Sequence, residues 1–199
     1  MNELFKEWEK SYRENGIEAK FVKDGIVNKE HYKNIVWILK ETNDYENPLN
    51  ELVNDRVINN KKSMMWKGVT WHNIGRGTAK LLNPNLNIKE ADKIWKKSLL
   101  HIAVMNIKKT TGKASSNWDE IVDFAKNYSE FIIKELELLN PKIVVLGGIK
   151  DALKNILSLQ HQNKNIYSSE KFPNTIFIEA YHPAVWPKKV SILNYFNQF

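Results

Sequence analysis

The sequence contains no cysteine, which excludes disulfide staples, thiolate zinc sites and cysteine-held iron–sulfur clusters and suits a reducing cytoplasm. It also lacks any apolar run of membrane-spanning length. The opening stretch, MNELFKEWEKSYRENG, reads as charged and amphipathic instead of as an apolar signal core. Internal repeats, a Gly/Ser/Pro linker and low-complexity tracts are missing as well. So are GxGxxG and Walker patterns, which argues against an ordinary dinucleotide- or nucleoside-triphosphate-binding enzyme. What remains is a cytoplasmic chain of 199 residues, long enough to bury a core as one domain over 1–199. A monomer is expected, with no metal, no cofactor and no membrane partner.

Charge is the first positive signal. Thirty Lys and Arg stand against 23 Asp and Glu, a net charge of +7, and such a field attracts polyanions, nucleic acid first among them. Lysine and asparagine crowd the whole sequence, so the excess equally fits a general compositional bias.

Patterning supplies the fold. Four short apolar, β-branched runs stand out: Ile35 to Leu39 (IVWIL), His101 to Ile107 (HIAVMNI), Lys142 to Leu146 (KIVVL) and Thr175 to Ala180 (TIFIEA). Segments of helical period separate them, and that alternation implies strands joined by helical crossovers. The strongest helical pattern runs from Ile121 to Leu139, with Ser116 and Asn117 as caps and Asn140-Pro141 as its stop. Further helices are expected near the amino terminus, over Leu49 to Asn59, Asn73 to Leu82, Lys89 to Leu99 and Ile149 to Leu159, and at the end of the chain. The expected fold is three-layer α/β/α, with a central four-stranded, mainly parallel sheet.

Each strand runs into a polar cluster at its carboxyl end: Lys40-Glu41-Thr42-Asn43-Asp44, Asn106-Ile107-Lys108-Lys109, Gly147-Gly148 and His182-Pro183-Ala184. In open parallel sheets that edge is where ligands bind. Taken singly each cluster has a plain alternative. Gly147-Gly148 permits a tight turn as well as amides facing an anion, His182 suits a loop beside a rigid proline, and Glu41 and Asp44 suit solvated loop charges.

In order and spacing, the four clusters resemble the uracil-DNA glycosylase superfamily from about Ile35 to Trp186. Ile38-Leu39-Lys40-Glu41-Thr42-Asn43-Asp44 is similar to its first motif, a strand followed by GQDPYH, GEAPG or GINPG. Ala103-Val104-Met105-Asn106 resembles the second, a strand ending in Asn, and Ile107-Lys108-Lys109 the basic segment that follows it in one class. Asn140 to Gly147 mirrors the third strand, and His182-Pro183-Ala184 the closing HPS.

The resemblance implies a DNA glycosylase that flips and excises a damaged or modified base from single- or double-stranded DNA. Asn106 would read the base, His182 would donate to its oxygen as charge develops, and Glu41, Thr42, Asn43 or Asp44 would place water. Thr42 stands where the family usually has Asp or Asn, and Asn43 and Asp44 replace its Pro and Gly. These departures keep a second reading open, a member that recognises DNA or a nucleotide without hydrolysis. Trp71 and Trp66 are candidate stacking platforms, with core packing as the alternative. Lys108, Lys109, Gly147, Gly148 and Lys188 are candidate contacts to the DNA backbone, alongside Lys113 and Lys189; for each of the lysines the alternative is a solvated surface charge.

Overall fold

The four apolar runs form the parallel centre of the sheet in the computed structural model, which describes residues 1–43, 46–61, 68–112, 116–187 and 191–196, with Asn43 as backbone only. They are β2 (Ile35–Leu39), β4 (Ile102–Asn106), β6 (Ile143–Gly147) and β9 (Ile176–Ala180). Pairing runs β4-β2-β6-β9, parallel throughout, with Leu39 opposite Asn106 and Gly147 opposite Ala180. β2 and β4 are buried along their whole length, which is why they read as continuous apolar runs without polar alternation.

Side chains alternate between two cores. Val36, Ile38, Ala103, Met105, Val144, Leu146 and Phe177 pack with α1 (Asn2–Glu14), α5 (Trp118–Asn127) and α6 (Ser129–Leu139). Ile35, Trp37, Leu39, Ile102, Val104, Val145 and Ile178 face the other way, toward α2 (Leu49–Ile58), α3 (Val69–Leu82) and α8 (Ile192–Phe196). Helices therefore cover both faces, compatible with the three layers expected.

The sheet is larger than expected, and mixed. It has seven strands in the order β1-β4-β2-β6-β9-β8-β7, where β1 (Gly25–Ile26), β7 (Leu159–Asn163) and β8 (Ile166–Ser169) pair antiparallel. Beyond Leu159 every β7 side chain is exposed, so the strand has no buried face and leaves no apolar period in the sequence. A separate two-stranded ladder joins β3 (Thr42–Asn43) to β5 (Thr111–Gly112).

The expected helices need three corrections. The Ile121 to Leu139 pattern breaks at Tyr128, which sits at φ −115° and ψ 23° between α5 and α6. There the Tyr128 ring packs 4.5 Å from that of Tyr12. The segment from Ile149 forms only the single turn α7 (Lys150–Leu153), because Leu159 already belongs to β7. The helix expected from Asn73 begins earlier, at Val69, so Trp71 and His72 also lie inside α3. Asn140 stops α6 as expected, in the left-handed conformation at φ 44°.

Among the described residues no helix is long and apolar enough to cross a membrane. Gly75 and Gly77 allow close approach of packed elements: a methyl at Gly75 would run into the Trp95 backbone on α4 (Ile88–Ser98), and one at Gly77 into the Phe196 and Trp37 rings. Because a backbone cannot rotate away, Gly75→Ala is expected to cost about 1–3 kcal/mol. Urea denaturation should show the lower midpoint with an unchanged slope.

Candidate functional site

A cleft of about 420 Å³ opens at the carboxyl edge of the parallel strands. Lys40 reaches it from the end of β2, Gly148 from β6, and Tyr181 and His182 from β9. Trp118 enters from the first residue of α5, and Lys150 and Asp151 from the start of α7. The structure thus brings together Lys40, Gly148 and His182 from three of the four clusters.

The close approach of β6 to β9 needs glycine. Gly148 has φ +69°, and a Cβ there would lie 2.9 Å from His182 Cβ and 3.1 Å from its backbone nitrogen. Its amide donates to the Ala180 carbonyl at 2.8 Å, so it is engaged within the fold. Gly147 is buried in β6. The pair serves the turn reading.

His182 caps the short 3₁₀ turn Pro183–Val185, its Nδ1 accepting from the Ala184 amide at 3.2 Å. In the neutral ring that bond places the proton on Nε2. Burial, and then the positive charge of Lys40, push the His182 pKa down to about 4. At neutral pH the ring is an uncharged donor in the cleft. Lys40 lies with its Nζ 5.6 Å from the centroid of the Trp118 ring, which gives this corner both a cation and an aromatic face.

Across the cleft, Lys150 Nζ is 2.6 Å from Asp151 Oδ1 and 3.7 Å from Glu179 Oε1. Its hydrogen bond to Asp151 holds the ammonium above its usual range, against the effect of burial. Glu179 Oε2 accepts from the Tyr167 hydroxyl at 2.8 Å, and its backbone carbonyl accepts from the Tyr195 hydroxyl.

The remaining expected residues lie elsewhere. Asn106 is 1% exposed; its backbone N–H and its Nδ2 both donate to Asp24 Oδ2, at 2.7 and 3.2 Å. It does not line the cleft, and the strand order puts three intervals between β4 and β9, about 14 Å at ordinary strand spacing.

Lys109 is wholly buried, its Nζ 2.6 Å from Asp24 Oδ1 and 2.7 Å from Glu135 Oε2, and 5.0 Å from the Trp8 ring centroid. It presents no cation to a phosphate. Burial pushes the Glu135 carboxyl well above the carboxylate range; Lys109 pulls against this and Asp24 adds to it.

Lys108 bridges two carboxylates, Glu41 at 2.9 Å and Glu120 at 2.8 Å. Burial works against its charge, yet the bonds to Glu120 and Glu41 keep its pKa raised. The Glu41 side chain is only 5% exposed, and Thr42 is buried at its pairing with Thr111. Trp71 is 7% exposed and belongs to the core on the α3 side. Asp44, Trp66, Lys113, Lys188, Lys189 and the Asn43 side chain lie outside the described residues.

Sequence reading missed Trp118, Lys150, Glu179 and Tyr181. Trp118 carried a usable signal: a large aromatic directly after a capping Asn117, at the N1 position of a helix that starts beside the sheet edge.

Two outcomes follow. ¹⁵N-edited NMR should show His182 as the neutral Nε2–H form at pH 7, with a midpoint near 4 that rises only by the smaller part of its shift in Lys40→Gln, since burial is the larger cause. Because the unfolded ring takes its proton first, stability from this group falls as pH drops from about 6.5 to about 4. Lys109→Met, which strands two buried carboxyl groups, should cost about 3–5 kcal/mol in urea denaturation, and adding Glu135→Leu should restore part of it.

Comparison with known proteins found no matching family model and no matching curated sequence.

Proposed function

We propose that the chain is a DNA glycosylase-like protein that takes a flipped, damaged or modified base into the cleft beside His182 and hydrolyses its N-glycosidic bond. One observation carries this reading: a neutral histidine with its Nδ1 already occupied, in a cleft that also holds Lys40, Trp118 and Tyr181. When the C1′–N bond breaks, its electron pair leaves with the base, and negative charge gathers on a base carbonyl oxygen. His182 Nε2–H donates to that oxygen, and Lys40 adds a favourable field. Water delivers hydroxyl to C1′, and its proton ends on the base.

Trp118 and Tyr181 supply the aromatic faces that a base needs on leaving the stack. With Glu41 held by Lys108 and Thr42 buried, orienting the water falls to Asn43 or Asp44. DNA associates through the net charge of +7, with affinity falling as salt rises because phosphate contacts release counterions.

A second reading, recognition without hydrolysis, is favoured by the same withdrawal of Glu41 and Thr42 from solvent. A panel of oligonucleotides carrying modified bases separates the two. Alkali-labile abasic sites are expected with at least one, and His182→Ala should slow their formation by roughly 10²–10³-fold with little change in DNA binding. Binding without abasic sites on any member of the panel supports recognition alone.

A further inference from the structure

Charge is arranged differently on α4 than on α1. On α1, Lys6, Lys10 and Arg13 each meet a glutamate of the same helix, at 2.8, 3.6 and 2.6 Å. On α4 both acids are engaged elsewhere: Glu90 accepts from the Asn87 amide at 2.9 Å in a capping box, and Asp92 turns to Arg76 and His72 on α3. Lys89, Lys93 and Lys97 are exposed, and none has an ion-pair partner among the described residues. At about 100° per residue the three share one arc of roughly 80°, opposite Ala91 and Ser98, which are buried. Lys96 falls in the same arc but lies over the Trp95 ring, 5.6 Å from its centroid.

We infer that this lysine stripe is a docking surface for a DNA backbone, and that it holds the same DNA whose base enters the cleft. Residues four apart on a helix rise about 6 Å along its axis, and a DNA strand presents a phosphate every 3.4 Å or so, so the stripe offers roughly one ammonium for every two phosphates. A lysine ammonium is a point charge that holds phosphate without reading a base. The stripe therefore positions DNA of any sequence. The apolar side of α4, where Ala91 is fully buried, is already spent in the core, which leaves the helix nothing to sink into a lipid surface. Its place in the fold links it to the cleft. His72 Nε2 lies 3.5 Å from Asp92 of α4, and the next residue, Asn73, donates to the Pro183 carbonyl at 2.8 Å. Only α3 separates the middle of α4 from the turn beside His182, a step of about 8–10 Å at ordinary helix packing. One turn of duplex, about 34 Å, is long enough to reach both.

The inference rests on the association with DNA proposed above, and salt titration of the full chain tests the two separately. Fluorescence anisotropy with an unmodified, fluorescein-labelled DNA duplex gives the slope of log K against log salt, which reports the number of phosphates neutralised. The triple variant Lys89→Gln, Lys93→Gln, Lys97→Gln should reduce the magnitude of that slope by about 2–3, while its far-UV spectrum and melting temperature stay near those of the parent. The triple variant Lys6→Gln, Lys10→Gln, Arg13→Gln on α1 removes the same net charge and should reduce it by less than about 1. Equal reductions in the two variants, or an unchanged slope in the α4 variant, overturn the stripe and leave association with DNA standing. Loss of binding to phosphatidylserine vesicles in the α4 variant, with its slope on DNA unchanged, also overturns it and assigns the stripe to a membrane surface. A parent chain that binds no duplex at low ionic strength overturns both the stripe and the association.

Discussion

The ammonium of Lys109, buried between Asp24 and Glu135, is the interaction on which the carboxyl edge of the sheet depends. A charge with no exposed surface persists only where its partners are fixed. Here they come from three directions: Asp24 from the segment before β1, Glu135 from α6, and the Phe5 and Trp8 rings from α1. The Lys109 amide donates to the Tyr12 hydroxyl, and its carbonyl accepts from Val22. The chain leaving β4 is thereby clamped under α1. Glu135 keeps its proton more readily than a free carboxyl, which limits the net charge the core must hold.

From that clamp the constraint passes outward. Ile107 and Lys108 continue the pairing of β4 with β2 through bonds to the Leu39 and Lys40 carbonyls, so Lys108 is set beside the first-motif loop. Its ammonium then ties Glu41 to Glu120 in the first turn of α5. Trp118 begins that helix, and the Lys40 ammonium lies over its ring. A buried ion pair, a second one at the surface of the core, and a cation over an aromatic ring therefore connect the interior to one wall of the cleft. The basic segment after β4 looks in sequence like a phosphate contact; in the fold, both of its lysines are absorbed by carboxylates.

This explains what was legible in the sequence and what was not. β2, β4 and β6 were legible because strands buried on both faces are apolar along their length, and β9 through its apolar, β-branched residues although Ile176 and Glu179 reach solvent; the ends of all four fell within a residue of the expected ones. β7 was hidden because Gln160, His161, Gln162 and Asn163 face solvent, and β8 because one of its two buried residues is a serine, so neither leaves an apolar period. At the site, the clusters at the ends of β2, β6 and β9 do converge. Asn106 does not join them, because nothing in the run Met105-Asn106-Ile107 reveals that Asp24, 82 positions earlier, takes its amide. Long-range pairing of polar groups has no period.

The same distinction bears on how the cleft can work. Net charge located no site: Lys108 and Lys109 are internal, Lys150 is shared between Asp151 and Glu179, and of the cleft's lysines Lys40 acts most directly on His182. That single cation has two effects of opposite use to an ordinary acid. With burial, the larger cause, it suppresses protonation of the ring, so at neutral pH His182 is a neutral hydrogen-bond donor. It also lowers the energy of any anion formed beside the ring. A neutral donor next to a fixed cation therefore favours a partner whose negative charge grows during reaction over one that must be protonated beforehand, and it does so without binding the uncharged ground state more tightly.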